Sequence, residues 1–319
     1  MDKKIPVIID CDPGIDDALA LVVAFSLPQL DIKAVTCVAG NVSIENVTRS
    51  ARAVLGTMGV KSRIYKGARG PLMAVDVIEA PEAHGETGLG DFTTDEKNWH
   101  PLEEMSALEA QKKILTESDK PVTIVAVGPL TNIAILLKAY PELKGKIKQL
   151  SIMGGGLYTG NHTAAGEFNF LADPEAAHIV FSSGVPIIMA GLDVTHQARI
   201  YGKELEEIAT IKNPVADMMY KAMSFNFRRF KEGDERDNEY VCMHDVCSIL
   251  VLLYPEMFKG EDLNVMIETS GRYSRGYTLA DLRRDHKGEN TNCHALLEID
   301  RKRFYEEVMK ALKSYSRST

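Results

Sequence analysis

No run of 18 apolar residues occurs anywhere in the 319-residue chain, so the sequence offers no membrane-spanning helix. The opening MDKKIPVIID enters its first apolar run within a few residues and lacks the longer apolar region and small-residue cleavage site of a signal peptide, so a cytoplasmic protein is expected. Cysteine is scarce: five residues, at 11, 37, 242, 247 and 293, form no CxxC pair and no zinc-type spacing. Most lie in apolar runs, as free buried thiols of a reducing compartment do, and no disulfide framework is expected. Basic surface is scarce as well. The formal net charge is −8, and the local basic clusters RRF (228–230) and DLRRDHK (281–287) are mixed with acids, so they read as solvated faces and a general nucleic-acid binder is excluded. With no linker, repeat or low-complexity segment, the chain reads as one domain spanning residues 1–319.

What the chain does have is an alternation of short β-branched runs with helical periodicity, the pattern of an α/β fold in which helices cover a mainly parallel sheet. Strands are expected at 6–10, 31–40, 63–67, 121–128, 147–155 and 185–192, and helices at 16–27, 43–58, 103–118, 130–139 and 174–183. Ser43 and the pair Asp173-Pro174 supply start signals for two of these helices. After residue 195 the rhythm changes to longer helices, then short strands near 263–268, 276–280 and 293–299 and a terminal helix from about 301. Residues 68–100 and 228–242 form long polar stretches of the kind that serve as lids or binding loops.

The stretch VIIDCDPGIDDALAL (7–21) runs an apolar strand into Asp10, Asp12, Asp16 and Asp17, although like charges repel and burying them is costly. If the strand ends near Asp10 and a helix begins near Ile15, then Asp12, Asp16 and Asp17 stand at a C-terminal strand edge, where open α/β sheets bind ligands. The helix dipole is worth only ~0.3–1 kcal/mol per charge, too little to hold three carboxylates together. A hard cation, calcium or magnesium, accounts for them better; the plainer alternative is helix capping by Asp16 and Asp17. Distant partners exist. His244 and Asp245 open the apolar run VCSILVLLY, and Glu167 and Asn169 share one side of a segment read as extended, GEFNFLADPEAA (166–177), placed to bond sugar hydroxyls. Each pair also has a structural alternative, as a helix N-cap or as loop stabilisers.

Together these residues resemble the nucleoside hydrolases of the inosine-uridine preferring family. DCDPGIDDALAL is similar to the family signature DxDxGxDDxxAL, and further landmarks follow in the family's order: AGN (39–41), HGETGLG (84–90), VGPLTNIA (127–134), MGGG (153–156), GEFNFLADPEAA, DVTHQ (193–197) and HDV (244–246). The resemblance implies a Rossmann-like sheet with the site at its C-terminal edge, hydrolysis of the N-glycosidic bond of ribonucleosides to base and ribose, and one bound Ca²⁺. It implies calcium ligation by the carboxylates of Asp12, Asp17 and Asp245 and the carbonyl of Val127. Asp16, Asn41, Asn161, Glu167 and Asn169 would then hold the ribose, with Met153 packed near the sugar and Asp245 also facing the substrate. Asp12 would act as general base on a calcium-bound water, through an oxocarbenium-like transition state. His244 is the candidate acid or base-contacting group, with His84 a second, since a neutral-range pKa suits either role. Asp10 would support the turn from beneath. The resemblance also implies a homo-oligomer, tetramer or dimer, and a place in nucleoside catabolism or salvage.

His before the late aspartate is similar to the branch that accepts inosine, uridine or cytidine, and the single tryptophan, Trp99, reads as a loop anchor, so a pyrimidine or broad preference is implied. Tyr220, Phe227, Phe230 and Tyr240 are unassigned candidates for base contact. Two rivals stand beside this reading. A haloacid-dehalogenase-like phosphohydrolase would use Asp10 as nucleophile and Asp12 as acid, but it leaves Asp16, Asp17 and His244-Asp245 unexplained. In a non-catalytic nucleoside-binding relative, loss of the general base would be the simplest change, yet Asp12 is intact.

Overall fold

The computed structural model describes residues 4–73, 77–233, 240–283 and 289–315. Strand β1 (Ile5–Cys11) passes through Pro13-Gly14 into helix α1 (Ile15–Ser26), and β2 (Leu30–Cys37), α2 (Ile44–Met58) and β3 (Ile64–Lys66) follow. A long loop then carries the one-turn helix α3 (Pro81–His84). The next stretch is built from α4 (Ala107–Glu117), β4 (Val122–Ala126), α5 (Thr131–Ala139), β5 (Ile147–Met153), α6 (Phe168–Ala172), α7 (Pro174–Phe181) and β6 (Ile187–Ala190). Beyond it come α8 (Leu192–Thr195), β7 (Arg199–Tyr201), α9 (Gly202–Ala209), α10 (Pro214–Gly233), β8 (Tyr240–Cys242) and α11 (Val246–Leu250). The chain finishes with β9 (Phe258–Leu263), β10 (Val265–Ile267), β11 (Thr278–Ala280), β12 (Cys293–Ile299) and α12 (Arg301–Ser314).

Among the described residues the main sheet has eight strands in the order β3-β2-β1-β4-β5-β6-β12-β9, parallel throughout except for β9 at one edge. A parallel sheet is stable only when helices cover both faces, and β1 explains how this one meets that demand. Ile9 packs into one core with α1, α2 and α10, while Ile8 packs into a second with α5 and α7. The chain leaves β1 toward β2 on one side and returns to β4 on the other, so the connections after these two neighbouring strands diverge and leave a crevice at their C-terminal ends. The expected single α/β domain with a mainly parallel sheet is the one observed.

Several sequence expectations need correction. The strands expected to run to residues 40, 128, 155 and 192 stop at 37, 126, 153 and 190; Val127 then lines the cavity, and Gly191-Leu192 begins helix α8. The segment read as extended around Glu167 is instead the start of α6: Glu167 caps the helix and accepts the N–H groups of Asn169 (3.1 Å) and Phe170 (3.2 Å). The apolar helix opened by Asp245 ends at Leu250. Strands β7, β8 and β9 were not foreseen, two being only three residues long and the third polar, FKGEDL. The start signals at Ser43 and Asp173 hold, each side chain accepting an N–H three residues on. The cysteines are free, all but Cys242 buried. Among the described residues no helix is long and apolar enough to cross a membrane. The side chains of 229–233, including Phe230, and residues 284–287 of the DLRRDHK cluster lie outside the described residues.

Candidate active site

The turn after β1 places its acids by backbone bonding. Asp17, in the first turn of α1, reaches back so that its Oδ1 accepts from Asp12 N (3.1 Å) and its Oδ2 from Gly14 N (3.0 Å), which makes it both a cap and a buried carboxylate. Asp12 Oδ2 accepts the Asn41 N–H at 2.7 Å, while Oδ1 is buried without a partner. The Asn41 amide donates to the Asp12 carbonyl and to Asp17 Oδ2, both at 3.1 Å, and so ties the turn to the loop after β2. Glycines make room here: a Cβ on Gly128 would stand 2.5 Å from Asp12 Oδ1. From more than two hundred residues away the start of α11 delivers Asp245, buried and with Oδ2 unpartnered.

Asp16, Asp17 and Asp245 each place a carboxylate oxygen within 4.8 Å of the others. Burial pushes Asp12 and Asp245 well above the usual carboxylate range and Asp17 up to about 7, and the neighbouring carboxylates add to the effect. Burial raises Asp16 too, against the pull of His244. Such a cluster is held as anions only by a cation, and an all-oxygen donor set with two orphaned buried oxygens fits a hard ion such as Ca²⁺ or Mg²⁺. The trio that the fold brings together adds Asp16, expected at the ribose, to the expected ligands Asp17 and Asp245. Asp12 is not part of the trio and is joined to it by its N–H to Asp17 Oδ1. The Val127 carbonyl, at the end of β4, accepts from Asn169 Nδ2 at 2.8 Å.

The opposite wall is built on α6. Glu167 is buried and its Oε2 also accepts from Gly155 N at 2.8 Å; burial pushes its carboxyl up to about 7. Asn169 Nδ2 spans the Val127 and Met153 carbonyls, with the Met153 sulfur at 3.4 Å. Asn161 Oδ1 accepts from Phe168 N at 2.9 Å, which pins its loop to α6.

Two histidines complete the rim. Ile15 N–H donates to His84 Nδ1 at 3.2 Å, so a neutral His84 carries its proton on Nε2; Asp16 Oδ1 is 3.9 Å from the same nitrogen. His244 Nδ1 lies 2.8 Å from Thr195 Oγ1, with the His196 ring edge-on at 5.7 Å. Burial pulls His244 down to about 4, Asp16 opposing and His196 and His84 adding to the fall.

All the expected site residues except Asp12 line one cavity of about 480 Å³, a volume suited to a small ligand. Sequence reasoning left His196, Tyr240, Asn226 and Glu82 of that lining unassigned. For His196 a signal existed, since it lies within DVTHQ. Tyr240 is held by the Arg199 guanidinium at 4.1 Å from its ring centre. Phe227 is core and Tyr220 packs against it. Trp99 is the loop anchor expected, bonding the Thr94 carbonyl at 3.1 Å between Arg49 and Arg52. Asp10, the nucleophile of the phosphohydrolase rival, is fully buried outside the cavity wall, its Oδ1 held by Thr36, Gln111 and Asn132 and its carboxyl pushed by burial up to about 7.

A buried carboxylate cluster at the switch point of a parallel sheet, across one cavity from buried Glu167 and Asn169, suits a metal-dependent site for a small polar ligand. Residues 7–306 match the model of the inosine-uridine preferring nucleoside hydrolases. The chain is 42% identical over 313 residues to the pyrimidine-specific ribonucleoside hydrolase RihA of Enterobacter sp. strain 638, covering 98% of this chain and 99% of that one. It is 40% identical over 313 residues to RihA of Escherichia coli strain SMS-3-5, with the same coverage. Among solved structures it is similar to the purine-preferring ribonucleoside hydrolase from Gardnerella vaginalis, with a TM-score of 0.89 at 28% identity over 97% of this chain and 98% of that one. The chain belongs to the inosine-uridine preferring nucleoside hydrolase family, and its activity is hydrolysis of the N-glycosidic bond of ribonucleosides.

Proposed function

We propose that the cavity cleaves pyrimidine ribonucleosides, uridine and cytidine, or a broad inosine-uridine set, with Asp12 as general base and a bound Ca²⁺ as cofactor. The observation that carries this reading is the meeting of the acidic cluster and the Glu167–Asn169 wall across one cavity, with unpartnered oxygens on Asp12 and Asp245. Asp12, Asp17, Asp245 and the Val127 carbonyl would hold the ion. When bound, it supplies a lowered water pKa and a fixed direction of attack. The Asn41 N–H holds Asp12 Oδ2 and leaves Oδ1 to take the proton of the attacking water. Asp16, Asn41, Asn161, Glu167 and Asn169 bind the ribose, and Met153 packs against it. These contacts lower the barrier insofar as they strengthen while the ring flattens and gains positive charge.

His84 presents Nε2–H toward the departing base. Burial lowers His244 to about 4 in the metal-free chain, which suits a hydrogen-bonding partner of the base that becomes an acid where the substrate raises its pKa. The pyrimidine-specific relatives support the base preference. A cytoplasmic homo-oligomer, tetramer or dimer, acting in nucleoside catabolism or salvage completes the reading. Ribose release from uridine, cytidine, inosine and 5-methyluridine tests it, with p-nitrophenyl phosphate as control; hydrolysis of the phosphate alone contradicts it. Elemental analysis tests the ion, and stoichiometric zinc or iron in place of calcium overturns that assignment.

A further inference from the structure

Asp10 lies beneath the cavity rather than in its wall, and three side chains from three elements converge on its Oδ1. They are Thr36 Oγ1 from β2, Gln111 Nε2 from α4 at 3.2 Å and Asn132 Nδ2 from α5 at 2.8 Å. Gln111 Nε2 also donates to Thr36 Oγ1 at 3.1 Å, and all four residues are buried. Asn132 carries the network outward: its Nδ2 donates to the Cys37 carbonyl at 3.0 Å, and its Oδ1 accepts from Ala68 N at 2.8 Å.

Two of the connections lead to the cavity wall. Cys37 closes β2, four residues before the Asn41 that holds Asp12 and Asp17. The Asp10 carbonyl accepts from Val127 N at 2.9 Å, and Asp12 follows two residues on. A carboxylate oxygen shared by three donors cannot turn without losing all of them, so the ends of β1, β2 and α5 are locked to one another at this point.

We infer that Asp10 is a positioning residue: the Asp10–Thr36–Gln111–Asn132 network fixes the ends of β1, β2 and α5 against one another and sets the geometry at which Asp12, Asn41 and Val127 meet the ion and the ribose. The inference rests on the cavity being a metal-dependent nucleoside site. Nothing in the network touches substrate; it acts through Asp12, Asn41 and Val127, as outer partners of metal ligands do.

The test is calcium affinity by titration calorimetry on the full chain, with melting temperature and kcat alongside. Asp10→Ala and Gln111→Leu are expected to weaken calcium binding by about tenfold or more, the range for outer partners of ligands. Asp10→Asn keeps the acceptor oxygen and is expected to lie nearer wild type than Asp10→Ala. Leu115→Ala, which opens the core beneath α4 outside the network, is expected to lower the melting temperature and leave calcium affinity unchanged. Wild-type affinity in a folded Asp10→Ala overturns the inference. If that variant does not fold, wild-type affinity in Gln111→Leu overturns it instead. Equal loss of affinity in Leu115→Ala also overturns it, because general destabilisation would then suffice. A wild-type chain that binds no calcium and releases no ribose refutes the reading of the cavity itself, an outcome seen before any variant is made.

Discussion

Asp10 and Asp12 stand two residues apart at the end of β1, both without exposed surface, and are held in opposite ways. Around Asp10 the partners are neutral side chains of Thr36, Gln111 and Asn132, which all hydrogen-bond Oδ1, while Oδ2 is buried without a partner. Around Asp12 they are a single backbone N–H and other carboxylates, and its own unmatched oxygen, Oδ1, lies beside Gly128. A buried acid surrounded by neutral donors can hold a fold together by itself. A buried acid surrounded by further acids is costly until a cation arrives, so burial and charge are equal at the two positions while the partners divide scaffold from chemistry.

The contrast breaks most visibly at Asp12. Asp12→Ala is expected to lower kcat by ~10²–10⁴-fold in the presence of calcium, with circular dichroism unchanged; turnover near wild type removes the general-base role. Crowding the same carboxylate is the next largest change. Gly128→Ala places a methyl group 2.5 Å from Asp12 Oδ1, and a displacement on the order of 1 Å there is expected to cost about 10²-fold in kcat. Activity like that of wild type in this variant means that the Asp12 position is not critical.

His244→Ala sharpens a different side of the contrast, base against ribose. It is expected to slow uridine by up to about 10²-fold and p-nitrophenyl riboside, whose leaving group needs no proton, by much less. Equal slowing of both substrates contradicts a role at the leaving base.

The smallest effect is on stability and carries a pH sign. Burial raises Asp17 to about 7 in the metal-free fold, against about 3.9 for a free aspartate. Its contribution to metal-free stability is therefore complete below pH of about 4 and is lost as pH rises through 7. Calcium requires the ionised form. The melting-temperature gap between calcium and chelator is thus expected to widen from pH 5 to pH 8, at roughly constant ionic strength. A gap independent of pH, read by scanning calorimetry, contradicts protonation of the cluster in the metal-free protein.

Much of this was legible in sequence because it is local or periodic. The alternation of β-branched and helical runs gave the parallel sheet, and the acids at 12, 16 and 17 lie within one turn of a helix start. Asp245 could be offered as a distant partner from its place before an apolar run, but its ligand role came only through the family resemblance, since nothing local links it to residue 12. The helical turn at Glu167 stayed hidden because Phe168–Ala172 is too short to display a helical period. The Asp10 network stayed hidden for another reason: its donors lie 26, 101 and 122 positions away, and hydrogen bonds between neutral side chains leave no pattern along a chain. The lowering of His244 has no sequence signal because it is set by burial, opposed by Asp16 and reinforced by His196 and His84, which only the fold brings near.

The most direct test is ribose release from uridine by the purified protein, with calcium and with a chelator, in wild type and in Asp12→Ala. Release by the wild type that stops on chelation, returns with calcium and is lost in Asp12→Ala is the expected result. Release that persists through chelation and in Asp12→Ala contradicts a calcium-dependent hydrolase built on this cluster.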